Sequence, residues 1–305
     1  MIGRRVVPLC LTRGHQVTAV TRSEQGRTAL EQLGATAVAA DLFDRERLAA
    51  LLPGHDAIVN LATHMPASGR RMLLPGAWRE NDRIRREGSA VLVDAAIQAG
   101  VGRFIQESFA PAYPARGDAW IDETTPIEPV RYNRTIGDAE RSAERFGATG
   151  GAGVVLRFAS FYGPDSRFLE ELVRSVRHGF APMFGSPDAY LSSLAHDDAA
   201  TAVVAALALP GGAYNVADDE PVTHRSFVDS LADALGVSKP RLPPSWLTWL
   251  GGSLAETMAR SLRVSNRKLK AASGWTPAFR TIRDGWPAAL APFLGTATHP
   301  HQATT

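Results

Sequence analysis

Cys10 is the only cysteine in this 305-residue chain. A disulfide within the chain is excluded, and the composition suits a reducing, cytoplasmic setting. Cys-x-x-Cys and His-Glu-x-x-His patterns are absent, which removes the usual metal sites, so no metal is expected. No apolar run is long enough to span a membrane, and no stretch reads as a secretion signal. Charge is equally uncommitted: 33 Lys and Arg against 31 Asp and Glu leave a formal net charge of +2. That balance gives no electrostatic case for nucleic acid, and the basic runs at 79–86 and 260–270 read as charged helix faces. There is no internal repeat and no low-complexity segment.

What the chain does have is apolar content of 45%, enough to bury a large core. Its apolar pattern alternates between strand and helix periods. Helices are expected over 4–13 (bent at Pro8 and closed by Gly14), 24–33, 45–52 and 81–99. Short strands are expected at 16–20, 35–40 and 57–61. Such alternation is the signature of βαβ units, so the fold class is α/β with a doubly wound parallel sheet of Rossmann type.

Two segments carry chemistry. The strand Arg103-Phe104-Ile105-Gln106-Glu107-Ser108 runs into Phe109-Ala110-Pro111-Ala112-Tyr113, and Tyr132 and Ile136 lie four residues apart in Pro129–Glu140. The first resembles the Ser-Ser-x-x-x-Tyr-Gly strand end of extended short-chain dehydrogenases, the NAD(P)-dependent epimerase/dehydratase group. The second resembles the helix bearing their Tyr-x-x-x-Lys pair. Further blocks occur in the family's order: Leu156-Arg157 to Tyr162-Gly163-Pro164, His196-Asp197-Asp198, Tyr214-Asn215-Val216-Ala217, and Gly274-Trp275-Thr276-Pro277. The likeness runs from about residue 2 to 290.

Against that pattern, Phe109 stands where the family has its catalytic Ser or Thr, and Ile136 stands where it has Lys. Ser108 is one place early and on the opposite strand face unless the strand is bulged. Without the ammonium, a Tyr132 phenol keeps a pKa of about 10 and is a weak base, although it can still donate a proton. Tyr132 therefore reads either as a proton donor or as a packed structural tyrosine. The resemblance implies Tyr132, Ser108 and Tyr113 as catalytic candidates, with Ser160 also able to orient a reacting oxygen.

For a dinucleotide, the resemblance implies Gly3 at the helix that receives the pyrophosphate, Asp41 and Leu42 beside adenine, and Asn60, Leu61, Ala62 and Thr63 under the cofactor, with Phe158 and Ser160 completing the set. Arg22 follows the second family strand, where an NAD enzyme carries an acid; a cation there favours NADP, with NAD as the other possibility. Gly3 matches the last glycine of Gly-x-x-Gly-x-x-Gly, so the family's first strand is missing, and a start assigned too late is the expected cause. Arg85 occupies the place of a buried Asn: it either reaches a carboxylate or substrate, or lies with Arg86 on a solvated face. His196, Asp197 and Asp198 read as a helix cap.

The domain organisation implied is a nucleotide domain over 1–161 and 197–217, a mostly helical substrate lobe over 162–196 and 218–295, and a disordered tail over 296–305. The Trp-rich run at 243–250 reads as core or oligomer packing, with roofing a pocket or docking a partner chain as the alternative. The function implied is a hydride-transferring oxidoreductase or epimerase/dehydratase acting on a small polar or nucleotide-sugar-like molecule. A non-catalytic, dinucleotide-sensing protein is the alternative. A homodimer is the default assembly.

Overall fold

The computed structural model describes residues 1–66, 69–72, 74 and 76–294; the tail assigned from 296 lies outside them. Helices α1 (Gly3–Thr12), α2 (Glu24–Gln32), α3 (Arg45–Leu51), α4 (Ser89–Gln98), α5 (Ile136–Gly147), α6 (Arg167–Arg177), α7 (His196–Ala205), α8 (His224–Leu235) and α9 (Ile282–Leu294) surround strands β1 (Thr18–Thr21), β2 (Thr36–Ala39), β3 (Ala57–Asn60), β4 (Arg103–Phe109), β5 (Ala152–Phe158) and β6 (Gly212–Val216). All six strands pair in parallel, in the order β6-β5-β4-β3 and, separately, β1-β2. No ladder joins β1 to β3 among the described residues.

Alternation along the strands divides the core. Val6 and Cys10 of α1 pack with Ile105, Leu156, Phe158 and Val203 on one face. Leu48, Leu92, Val93, Phe104 and Phe146 fill the other. Each such side chain is worth about 1.5–3 kcal/mol of burial, so β4 and β5, which feed both clusters, are locked in register by both faces. Gly153 lets β5 meet α5 at backbone distance, since a Cβ there would lie 2.0 Å from the Ala143 carbonyl oxygen.

A third cluster, including Tyr162, Leu172, Val176, Val228, Leu231 and Trp286, is the core of α6, α8 and α9. Leu262, Val264, Leu269 and Trp275, expected with the lobe, instead pack in the sheet's cluster, where Arg263–Val264 also pairs in parallel with Trp120–Ile121. This pair forms a small sheet of its own beside the main one.

Two elements depart from expectation. The helix expected over 81–99 is three pieces: Arg79–Arg83, a π-turn at Ile84–Gly88, and α4. The wider π-turn buries Ile84, Arg85 and Gly88 together. Gly88 is required there, because a Cβ would come within 2.5 Å of Leu42. Second, α5 begins at Ile136, and Tyr132 sits in the turns before it, closed by Asn133 N–H to Val130 O and Ile136 N–H to Asn133 O, at 3.1 and 3.0 Å.

Candidate active site

Because the strands are parallel, their carboxyl ends share one edge, where open α/β sheets take their ligands. Arg22 follows β1 and is exposed, Asp41 follows β2, Asn60 ends β3, Ser108 and Phe109 end β4, and Phe158 ends β5. Gly3 opens α1. Asn60 shapes the turn after β3: its side-chain oxygen accepts from Ala62 N–H at 3.2 Å, while its amide donates to Gln106 Oε1 at 2.9 Å and Ser89 Oγ at 3.3 Å. Leu61 and Ala62 are half-buried beyond it and Thr63 is exposed. Asp41 accepts from Phe43 N–H at 3.0 Å, and Leu42 is half-buried against Gly88. Phe158 is wholly buried in the core, and Ser160 opens a short strand paired with 193–195.

Ser108 and Tyr113 belong to a buried network on the α5 side. The β4–β5 register runs unbroken through Ser108↔Arg157 and Phe109↔Phe158, so no bulge turns Ser108 around. Its hydroxyl donates to Glu140 Oε1 at 2.5 Å. Arg157 grips the same carboxylate twice, Nε to Oε1 at 2.9 Å and Nη2 to Oε2 at 2.7 Å, and its Nη1 donates to the Tyr113 hydroxyl at 2.7 Å. Tyr113 in turn donates to Asn215 Oδ1 at 2.8 Å. Burial pushes the Tyr113 phenol up to about 12, against the opposing pull of Arg157. Both hydroxyls are therefore committed to ties among β4, β5, β6 and α5.

Tyr132 lies elsewhere, edge-on to Trp78 with ring centroids 4.8 Å apart. Burial raises its pKa, partly opposed by Arg85 and Arg260 and reinforced by Glu107. It is a neutral phenol, able to give a proton and unsuited to take one. No lysine replaces the one lost to the fully buried Ile136: Lys239 bonds Asp233, Lys268 the Ala213 carbonyl and Lys270 Asp219. The nearby charge is an ion pair instead. Arg85 Nη2 donates to Glu107 Oε1 at 2.9 Å, with side chains only 7% and 12% exposed, while Arg86 is on the surface. The solvated-face reading of Arg85 is thereby corrected: the π-turn rotates it inward.

Tyr132 and Trp78, in ring contact, line a cleft of about 400 Å³ together with Arg79, Arg131, Arg134, Asp82 and residues 251–254. Asp82 is held by Thr135 Oγ1 at 2.8 Å and faces Arg134 at 3.8 Å. Three guanidinium groups against one carboxylate give the cleft a net positive lining.

At the other end of the edge, α1 is fastened by charge. Arg5 pairs twice with Asp165 at 3.0 Å and with Asp197 at 2.6 Å, and Arg4 also pairs with Asp165. His196 Nδ1 lies 2.8 Å from Asp165 Oδ1, and burial, then Arg5, lowers its pKa to about 4. The capping role expected of 196–198 is corrected. No side chain caps α7, and Asp198 accepts instead from the backbone N–H groups of Ala278 and Phe279 at 2.7 and 3.2 Å.

The fold and this edge define a dinucleotide-binding α/β protein. Residues 1–217 match the NAD dependent epimerase/dehydratase family, and the chain belongs to that family of NAD(P)-dependent oxidoreductases, epimerases and dehydratases. It is 29% identical over 302 residues to a 3-diazoavenalumate denitrifying reductase of a Streptomyces species, covering 93% of this chain and 95% of that one. A 2-alkyl-3-oxoalkanoate reductase of Shewanella oneidensis is 24% identical, covering 86% and 70%. Among solved structures, a dTDP-glucose 4,6-dehydratase of Streptomyces venezuelae with NAD bound superposes with a TM-score of 0.76 at 20% identity (94% and 92% covered). A human epimerase family protein with NADPH superposes at 0.78 and 22% (97% and 96%). These likenesses establish the fold. Among the described residues no group of metal-binding side chains occurs, and no helix is long and apolar enough to cross a membrane.

Proposed function

We propose that the protein is a reductase that uses NAD(P)H, with NADPH preferred through Arg22, and acts on a compact anionic molecule with an aromatic or planar body. The observation that carries this reading is the cleft: a Trp78–Tyr132 wall beside Arg79, Arg131 and Arg134. The residues present fit the cofactor, since the carboxyl edge offers the ordered Asn60 turn, Asp41, Arg22 and polar atoms of Arg85 and Glu107 that lack partners. When bound, the dihydronicotinamide supplies a hydride. The chain's own part is to hold the substrate's anionic group on the guanidinium groups, to exclude water with Trp78, and to keep a proton on Tyr132.

The missing Lys and Ser then fit the reaction. A site with a neutral phenol and no activating ammonium favours acceptors that need a donor or no proton transfer at all. Aryl diazonium carbon is such an acceptor: hydride enters, the carbon–nitrogen bond breaks, and dinitrogen leaves with the bonding pair, so no protein base is required. The nearly full-length likeness to a denitrifying reductase supports that class over nucleotide sugars. The reading includes a cytoplasmic homodimer, a nucleotide unit and a substrate lobe, with Tyr132 as donor and Ser108 and Tyr113 as supports.

The test is oxidation of NADPH and NADH, followed at 340 nm, with aryl diazonium carboxylates, aryl ketone carboxylates and nucleotide sugars. Turnover of a carboxylate-bearing acceptor is expected. Turnover of nucleotide sugars alone would refute the substrate assignment. Ile136 and Phe109 favour a second reading, a dinucleotide sensor, which tight cofactor binding with no turnover would support.

A further inference from the structure

We infer that the Arg85–Glu107 pair is a two-point seat for a primary carboxamide, the one on the nicotinamide ring of the cofactor. This inference rests on the cofactor reading above and adds the residues that grip the reactive ring. Only one hydrogen bond joins the two side chains, from Arg85 Nη2 to Glu107 Oε1. Arg85 Nε and Glu107 Oε2 are both buried and have no partner among the described residues. One is a donor and the other an acceptor, so the pair has one of each to offer.

The chemistry of the spare atoms selects the ligand. A simple anion would satisfy Arg85 but face the carboxylate of Glu107, and a simple cation would meet the reverse problem. A carboxamide presents a carbonyl oxygen to Arg85 Nε and an N–H to Glu107 Oε2, and it adds no charge to a pair that is already neutral. Buried polar groups left unpaired are costly, which favours a ligand that completes both.

The position agrees. The β3–β4 ladder ends at Asn60↔Gln106, so Glu107 stands one residue beyond it. Two residues on from Ile105, its side chain projects from the same, α1 side of the sheet, while Arg85 comes from the π-turn on the α4 side. The two therefore meet across the carboxyl edge of the sheet, where a dinucleotide lies in this architecture. Tyr132 is within electrostatic reach of both. The single inserted residue of a π-turn, a feature frequent at functional sites, is what carries Arg85 there.

The experiment compares calorimetric binding of NADP⁺ with that of its 3-acetylpyridine analogue, in which methyl replaces the amide nitrogen. Wild type is expected to bind the analogue about tenfold more weakly, the worth of one net hydrogen bond. Glu107→Gln, which keeps shape but can no longer offer Arg85 and the amide an acceptor each, should bring the ratio to within about twofold. ADP-ribose, which lacks the ring, should bind both proteins alike. Equal wild-type affinities for NADP⁺ and the analogue, or a ratio unchanged in Glu107→Gln, would overturn the seat alone. Failure of NADP⁺, NAD⁺ and ADP-ribose to bind would overturn the cofactor reading with it.

Discussion

Replacing Tyr113 by Phe separates support from catalysis. The substitution removes one oxygen and leaves the ring, which is fully buried, in place. Two hydrogen bonds go: the one accepted from Arg157 Nη1 at 2.7 Å and the one donated to Asn215 Oδ1 at 2.8 Å. The first involves a charged donor and is worth about 1.5–3 kcal/mol; the second is neutral and worth about 0.5–1.5 kcal/mol. Arg157 keeps its two bonds to Glu140, so the charge stays paired and the larger penalty of a stranded ion does not apply. The expected loss is therefore about 2–4 kcal/mol. For a chain of this size that is a drop of roughly 4–8 °C in Tm, read by calorimetry or circular dichroism. Turnover of the best substrate, measured well below the new Tm, should change less than about twofold, because the phenol is held among β4, β5 and β6 and not in the cleft. A hundredfold fall in kcat with an unchanged Tm would refute this reasoning and make Tyr113 the proton donor.

Tyr132→Phe should do the opposite, lowering kcat for a carbonyl substrate by about 10²–10³ with little change in NADPH binding or Tm. Because burial raises the Tyr132 pKa, the wild-type rate should stay flat from about pH 6 to about pH 9; a rate rising with phenol ionisation would contradict it. Arg22→Glu should shift the NADPH/NADH preference by about 10- to 100-fold toward NADH, and an unchanged kcat/KM ratio would reject Arg22 as a phosphate ligand. His196, lowered from 6.5 to about 4, contributes stability that is present above about pH 6.5 and lost as pH falls through about 4. His196→Gln should flatten that acid limb in urea titrations across this window, and an identical pH dependence in the variant would exclude His196 as its source.

The positions of the strands and of most helices were legible because each is a local pattern: apolar alternation for 57–60 and 103–109, and Gly34 and Gly100 after helices. The two vacancies in the chemistry, Phe109 and Ile136, were legible too, being substitutions within recognisable blocks. What the sequence left open is set by long-range partners. Arg85 is buried where the π-turn carries it inward and Glu107, 22 residues away, pairs with it. Ser108 is held on the α5 face by the unbroken register opposite Arg157, which strand spacing alone leaves conditional on a bulge. His196 and Asp197 looked like caps because helix starts favour such residues; their real partners, Asp165 and Arg5, lie 31 and 192 residues away.

The altered positions make sense as a set. A Lys at 136 would be a cation at the first residue of α5, the positive end of the helix, in a spot with no exposure and with Arg85 and Arg260 already near the preceding tyrosine. Ile136 removes that conflict and joins the packed interior. The ion pair of Arg85 and Glu107 then carries the local charge as a neutral couple, which leaves the phenol of Tyr132 protonated. On the proposed reading, such a site holds no group activated to take a proton from an alcohol at neutral pH. On the same reading, it keeps a place for a hydride-bearing ring, a basic cleft and a protonated phenol, which are the groups a reductase needs at neutral pH.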